Sequence, residues 1–241
     1  FLYSTSFLLP PERLFSFYHN FQQLTRTNIP VFIVFYFFVA YNKTYVPIIG
    51  GKTMDYSLYP RNDVLCIDMR SFYASVEAVK LGLDPMKVML AVVGDISRPG
   101  SIVLAASPAL KKKHGISNVS RFFELPKDPE IHIVQANMAD YLDVSLRITK
   151  LLHSFAPKEA IHQYSVDEVW VTVNGLEKLF GNRWDIAVQI KKAILTNFGI
   201  TSTIGIGDNK FLAKVVMDLH AKKVDSGIAE CTYEDVPDKL W

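Results

Sequence analysis

The sequence predicts an α+β domain in which short strands alternate with amphipathic helices, with a small subdomain inserted after the first strand and helix. Runs of β-forming residues are followed by stretches whose apolar residues recur at the helical period. Two further strands, joined by the turn-rich residues 94–100, interrupt this alternation early in the chain. With 241 residues, of which 49% are hydrophobic, the chain can bury the core of one large or two small domains.

The predicted elements follow one another from residue 63 onward. Glycine after an apolar helical period marks the end of two helices, at Gly82 and Gly115, and Pro108 suits a first helical turn. A turn is predicted at Asn174-Gly175, after a strand that carries two carboxylates. The predicted strands are 64–69, 87–93, 101–106, 131–135, two strands around the carboxylates, and 200–206; the predicted helices are 71–81, 108–114, 138–155, 184–198 and 209–220.

Residues 1–53 differ in composition from the rest of the chain. They are rich in Phe and Tyr, contain Glu12 as their only acid, and show neither a helical nor a strand period. The apolar run at residues 30–41 is shorter than the roughly 20 residues that span a bilayer, so we expect no membrane contact. Met54 is the first methionine, and we expect it to be the natural start, which an intact-mass measurement on natural material would check.

Charge and cysteine content exclude few functions. The formal net charge of +2 is too small to identify a nucleic-acid-binding protein, although residues 111–113 are three consecutive lysines. Cys66 and Cys231 lie far apart, so neither a disulfide framework nor a zinc site can be read from them. We interpret both thiols as reduced, which suits a cytoplasmic protein.

Three carboxylates stand inside β-forming sequence, where charged residues need an explanation. Asp167 and Glu168 are adjacent in one strand region, and Asp68 ends an apolar strand upstream. Hard oxygen donors are what magnesium prefers, and two magnesium ions about 4 Å apart catalyse in-line attack on phosphate. A sufficient ligand set would be Asp68, Asp167, Glu168 and the Met69 carbonyl. The alternative at this point is a surface Asp-Glu turn and an unrelated Asp at a strand end.

Three motifs resemble those of the Y-family translesion DNA polymerases. They are residues 68–77 (DMRSFYASVE), residues 164–168 (YSVDE) and residues 205–214 (GIGDNKFLAK), in the order in which that family has them. The likeness runs from about residue 64 to residue 223 and is greatest to the bacterial UmuC-like and DinB-like branches. It implies a ferredoxin-like palm at 54–71 and 137–223, inserted fingers at 72–136, and the start of a thumb at 224–241, with residues 1–53 outside the domain.

The resemblance also assigns roles to residues. It implies that Asp68 and Asp167 bridge two Mg²⁺ ions, for which Mn²⁺ is a substitute. Glu168 would bind the ion nearer the primer, and the Met69 carbonyl the ion nearer the nucleotide. Tyr73 occupies the position of the steric gate that excludes a ribose 2′-hydroxyl. The substrate-binding residues implied by the family are Phe72, Tyr73, Lys112, Lys214 and Lys222, the last with Lys223 as an alternative.

Two fingers positions depart from the family pattern. Ala109 and Lys112 stand where many members have Tyr and Arg, and Lys lacks the planar fork with which Arg holds a phosphate. Arg70 stands where several relatives have an acid. A weaker grip on the nucleotide is therefore expected.

The expected function is lesion-bypass DNA synthesis on a primer-template with deoxynucleoside triphosphates. Contacts to a sliding clamp or a recombinase are expected only outside these residues. Because no thumb or little finger follows, we expect these residues alone to bind primer-template poorly and to extend it feebly. The alternatives are a catalytically silent, polymerase-like DNA-repair binding subunit, and a nucleotidyl cyclase with a similar palm.

Overall fold

A computed structural model describes residues 56–116 and 120–240 of the chain. The strands are β1 (Val64–Met69), β2 (Leu90–Val93), β3 (Val103–Ala106), β4 (His132–Gln135), β5 (Ile161–Gln163), β6 (Glu168–Thr172), β7 (Ser202–Gly207) and β8 (Ile228–Cys231). The helices are α1 (Phe72–Lys80), α2 (Pro108–His114), α3 (Met138–Leu152), α4 (Glu177–Phe180), α5 (Arg183–Phe198), α6 (Lys210–Leu219) and α7 (Val236–Lys239). Short 3₁₀ turns lie at Tyr56–Leu58, Phe122–Glu124, Lys158–Ala160 and Ala221–Lys223.

The strands form two sheets, which confirms the predicted α+β class. The larger sheet has the order β5-β6-β1-β7-β8 and is antiparallel except for the pair β7–β8. The smaller sheet has the order β3-β2-β4, in which β2 pairs with β3 antiparallel and with β4 parallel. Because the smaller sheet comes from residues between α1 and α3, it corresponds to the subdomain predicted as an insertion.

The central strand β1 is covered on both faces. Alternate residues of a strand point to opposite sides, and Leu65 and Ile67 lie in the main core together with buried residues of α1, α3 and α5. On the other side, Val64 and Cys66 pack against Ala213 and other residues of α6. A strand buried on both faces explains why its sequence is almost continuously apolar, and why Asp68 is exceptional.

Helix α6 lies unusually close to the sheet because β7 contains glycine where the two meet. A Cβ added to Gly205 would overlap the carbonyl oxygen of Ala213 and would lie 2.6 Å from the Cβ of Met217. A methyl group therefore cannot be accommodated unless the helix moves.

Several predicted boundaries differ from those observed. The predicted strands at 87–93 and 101–106 are observed as the shorter β2 and β3, because turn residues precede each of them. Strand β8 was not predicted, since its four residues, IAEC, show no clear alternation and pair with β7 over a long sequence separation. It adds residues assigned to the thumb start at 224–241 to the larger sheet, and the domain boundaries stay predictions.

Some predictions concern residues that the structure does not describe. The apolar run at 30–41, the separate character of residues 1–53 and the start at Met54 all lie outside the described residues. Within residues 56–116 and 120–240, no helix has the length and apolarity required for a membrane span.

The close approach of α6 predicts a large effect of a small substitution. We expect Gly205→Ala to lower the free energy of unfolding by roughly 1–3 kcal/mol, since overpacking costs about this much. Chemical denaturation followed by circular dichroism would measure the change. Gly100→Ala is the matched control, because nothing lies within 4 Å of a Cβ built there. Equal stability of the two variants would contradict the packing described.

Candidate active site

The carboxylates Asp68 and Glu168 meet at one end of the larger sheet. Asp68 near the end of β1 lies directly opposite Glu168 in β6 and Thr203 in β7. Directly opposed residues of antiparallel strands share a face, and here it is the face covered by α6. Glu168 and Thr203 are both buried, at 7% and 1% exposure. The register of three strands therefore places two acids side by side in a poorly hydrated position.

Asp167 reaches the same end of the sheet from the loop that precedes β6. The backbone nitrogen of Met69 donates a hydrogen bond of 2.9 Å to the carbonyl oxygen of Asp167, which fixes the loop against β1. The Oδ1 atom of Asp167 accepts a hydrogen bond of 2.8 Å from Ser165 Oγ. The structure thus brings the predicted residues Asp68, Met69, Asp167 and Glu168 to one strand end.

Two lysines form ion pairs with the buried Glu168 and the half-buried Asp68. Lys214 Nζ lies 2.7 Å from Glu168 Oε2, and Lys222 Nζ lies 3.2 Å from Asp68 Oδ2. Asp218 bridges the lysines, at 3.2 Å from Lys214 and 2.8 Å from Lys222. No role for Asp218 is predicted from the sequence. The spacing of four residues from Lys214 to Asp218 and from Asp218 to Lys222 is the signal that could have indicated one.

Burial dominates the protonation of this cluster. It raises the pKa of Asp68 to about 6; the Lys222 ammonium opposes the shift and the Asp167 carboxylate adds to it. Burial lowers the pKa of Lys214, but the hydrogen bond and charge of Glu168 outweigh it, so the net direction is upward. Asp68 is therefore a carboxylate whose charge is only partly compensated by its neighbours.

The carboxylate oxygens of Asp68, Asp167 and Glu168 are the kind of ligand that a hard divalent cation prefers. In this structure, however, they do not converge on one point. Among the described residues, no three Asp, Glu, His or Cys side chains are grouped closely enough to hold a metal ion. The reason is that Asp68 and Glu168 each point to an ammonium group instead. The two carboxylates on adjacent strands, with Asp167 beside them, still fit magnesium. The two lysines provide the positive charge that a metal ion would provide in their place.

A cleft of about 460 Å³ opens beside Asp68. It is lined by Asp68, Arg70, Ser71, Pro108, Lys111, Lys112, Thr203 and Lys222. Four of these side chains are cationic and one is anionic, so the cleft is suited to an anion. Burial and the neighbouring Lys222 lower the pKa of Lys111, whose Nζ lies 3.4 Å from Ser71 Oγ.

The turn between β1 and α1 directs Arg70 into this cleft. Ser71 has a left-handed backbone with φ of 47°, which a residue with a side chain rarely adopts. The turn is held by a 2.8 Å hydrogen bond from Arg70 N to Thr201 O and by a 2.7 Å bond from Ser75 Oγ to Arg70 O. The sequence alone assigns no role to Arg70, and the family resemblance implies substrate binding by Lys112 rather than by Lys111.

One face of the Tyr73 ring packs against the buried ring of Tyr141. The two rings stack with centroids 4.3 Å apart and an interplanar angle of 13°. Tyr141 donates a 3.0 Å hydrogen bond to Glu77, which fixes the stack. Phe72 is only 3% exposed and lies in the main core, so its predicted substrate role would act through the position of Tyr73. Lys222 contacts Asp68 and Asp218 and lines the cleft, whereas the alternative, Lys223, is exposed and is not among the residues that line it.

The comparison with protein families identifies the class. The pattern of the impB/mucB/samB family matches residues 67–218, which is more than half of the chain. The chain belongs to this family of Y-family translesion polymerases, and corresponds to their palm and fingers portion.

Named relatives are repair proteins and polymerases. UvrX of Bacillus subtilis strain 168, which carries a provisional name as a UV-damage repair protein, is 50% identical over 188 residues. The match covers 78% of this chain and 44% of UvrX. DNA polymerase IV 2 of the same strain is 39% identical over 179 residues, covering 74% of this chain and 42% of the relative. The chain thus spans less than half the length of these relatives.

Solved structures agree with this classification. The insertion ternary complex of Dbh DNA polymerase superposes with a TM-score of 0.61 at 28% sequence identity. The superposition covers 73% of this chain and 50% of the Dbh chain. The fold and the sequence therefore identify the same family.

The bridging position of Asp218 predicts its contribution to stability. We expect Asp218→Asn to lower the free energy of unfolding by about 1–3 kcal/mol, because two lysines lose a charged hydrogen-bond partner. Asp143→Asn is the matched control, since Asp143 and its partner Arg147 are 66% and 57% exposed. Its effect should stay within about 0.5 kcal/mol. If urea denaturation gives the same change for both, Asp218 does not organise the cluster.

Proposed function

We propose that the chain carries the nucleotidyl-transfer centre of a lesion-bypass DNA polymerase. The reaction is the template-directed addition of a deoxynucleotide to a primer. The observation that carries this proposal is the meeting of Asp68, Glu168 and Asp167 at one strand end, beside a cation-lined cleft. The family membership supports the same reaction, and primer-template DNA and deoxynucleoside triphosphates are the proposed substrates.

The proposed metal ligands are the three carboxylates and the Met69 carbonyl. When bound, two Mg²⁺ ions, or Mn²⁺ ions in their place, would activate the attacking oxygen and offset the charge that develops on the phosphate. Asp68 favours such occupancy because its buried charge is only partly compensated. Lys214 and Lys222 hold the acids in place and, on release from them, provide ammonium groups for phosphate oxygens.

The cleft is the proposed triphosphate site. Lys112 and Lys222 line it, as the family resemblance implies, and Lys111 and Arg70 line it as well. Arg70 is proposed to supply the guanidinium that the fingers lack at position 112, since a planar fork can hold two phosphate oxygens at once.

A second candidate is the silent, polymerase-like DNA-repair binding subunit. It is favoured by the ion pairs of Asp68 with Lys222 and of Glu168 with Lys214, which give both acids a cationic partner without a metal ion. Such a subunit would bind primer-template DNA and incorporate nothing.

Primer extension with carboxylate variants tests the proposal. We expect the native chain to add deoxynucleotides in the presence of Mg²⁺, and Asp167→Asn to reduce the rate at least about a hundredfold, the loss typical of one charge-stabilising group. Asp143→Asn, with an exposed acid on α3, should retain the native rate. Extension by Asp167→Asn at the native rate would contradict the mechanism. Binding of primer-template with no extension by the native chain would support the silent subunit.

The stacked position of Tyr73 predicts sugar selection. We expect Tyr73→Ala to raise the ratio of ribonucleotide to deoxynucleotide incorporation by roughly 10- to 200-fold, the range for exclusion by pocket shape. Single-nucleotide incorporation with matched triphosphates would measure the ratio. Tyr73→Phe is the control, because it keeps the ring on Tyr141 and should keep the native ratio. An unchanged ratio in Tyr73→Ala would remove the steric-gate assignment.

A further inference from the structure

A group of aromatic and basic side chains, exposed except for one half-buried ring, lies on the opposite side of the carboxylates from the cleft. We call it the aromatic ledge, and it consists of His162, Tyr164, Trp170 and Lys210. The ring centroid of Trp170 is 4.8 Å from that of Tyr164 and 5.5 Å from that of His162. Lys210 Nζ lies 5.6 Å from the Trp170 ring centroid. Tyr164 is 57% exposed, so its ring has a free face.

The sheet register fixes where the ledge stands relative to the cleft. Tyr164 N donates a 3.0 Å hydrogen bond to Glu168 O, and continuation of the β5–β6 register places these two residues opposite each other. The same cross-strand row continues through Asp68 to Thr203 at the cleft. Adjacent strands are about 4.8 Å apart, so Tyr164 stands about 10 Å from the strand of Asp68, on the side away from the phosphate site.

If the chain has the proposed function, the geometry of phosphoryl transfer determines on which side of the carboxylates the primer must lie. In an in-line displacement the attacking oxygen and the leaving group lie on opposite sides of the phosphorus. If the cleft holds the triphosphate, the leaving pyrophosphate is on the Thr203 side of Asp68. The attacking hydroxyl must then approach from the side of Glu168 and Tyr164.

Trp170 of the ledge packs against the core beneath α6, but the exposed Lys210 has no evident role in the fold. Lys210 is exposed and occupies the first turn of α6, where the helix dipole disfavours a cation. Among the ion pairs of the described residues, the Nζ of Lys210 takes part in none, whereas Lys214 one turn later has two. A flat exposed ring beside an unpaired ammonium matches the chemistry of a nucleotide, which offers a base face and a phosphate.

We propose that the aromatic ledge binds the 3′-terminal nucleotides of the primer strand, with Tyr164 stacked against the terminal nucleotide and Lys210 paired with a backbone phosphate. Both are positioning residues: they hold the strand whose end reacts at the carboxylates. Trp170 supports them, since it contacts the Tyr164 ring and lies beneath Lys210.

The test is a binding titration with the 241-residue chain and a primer-template that carries 2-aminopurine at the primer 3′ end. Stacking on an aromatic ring quenches this base, so the signal reports contact at the terminus. Affinity is measured at several salt concentrations, because each phosphate contact contributes about 0.9 to the slope of log K against log salt. The variants are Tyr164→Ala and Lys210→Gln. Their controls are Phe123→Ala, an aromatic 67% exposed near the smaller sheet, and Lys150→Gln, an exposed lysine of α3.

The two variants should fail in different ways. Tyr164→Ala should lose the quench and bind roughly tenfold more weakly with an unchanged salt slope, as expected for loss of base stacking. Lys210→Gln should keep the quench and reduce the salt slope by about 0.9. Both controls should match the native chain, and circular dichroism should show that all variants are folded.

Two results would overturn the inference. One is native quench and native slope in both ledge variants. The other is no binding of the primer terminus by the native chain up to about 100 μM, the weak limit of non-specific DNA binding. The ledge and the polymerase mechanism can fail separately. If extension depends on Asp167 but both ledge variants bind the primer terminus like the native chain, only the proposal for the ledge is wrong. If the ledge variants bind as expected but Asp167→Asn extends primers at the native rate, only the proposed mechanism is wrong.

Discussion

The placement of a buried and a half-buried carboxylate side by side at one end of the larger sheet is the constraint on which the surrounding structure depends. Asp68 and Glu168 face each other across β1 and β6, where water gives them little stabilisation. An uncompensated buried charge is costly, so cations have to be held nearby. Lys214 and Lys222 supply them, and Asp218 keeps both lysines in place. Three residues spaced four apart, on α6 and the turn after it, therefore serve this balance of charge.

That balance requires the helix to lie close to the sheet, and the glycines of β7 make this possible. Without a side chain at Gly205, the backbone of α6 comes near enough for Lys214 to reach Glu168 at 2.7 Å. A larger residue in β7 would move the helix outward and leave Glu168 without its partner. The glycine pattern and the lysine spacing, which are separate features of the sequence, are therefore parts of one arrangement.

Sequence patterns predicted the fold class, which the structure confirms, and they singled out three carboxylates that the structure brings to one end of the larger sheet, because both signals are local in sequence. The metal-binding role of these carboxylates stays a prediction. A charged residue in an apolar strand is conspicuous, and helical periods gave α2 its observed bounds. What the sequence did not reveal depends on contacts between distant residues. Strand β8 is defined by its pairing with β7. Lys111 rather than Lys112 is half-buried, because α2 turns the Lys111 side chain toward Ser71.

The distribution of charge along the strand end explains why one surface would serve three different groups. Acids occupy the middle, at Asp68, Asp167 and Glu168, and attract cations. Cations line the cleft on the β7 side and attract phosphates. Aromatic rings and the single ammonium of Lys210 occupy the β5 side, where a nucleotide can be held by its base and by one phosphate. The proposed nucleotidyl transfer would need metal, leaving group and attacking strand at adjacent positions in a fixed order, and the separation of these regions along one row of residues would provide that order.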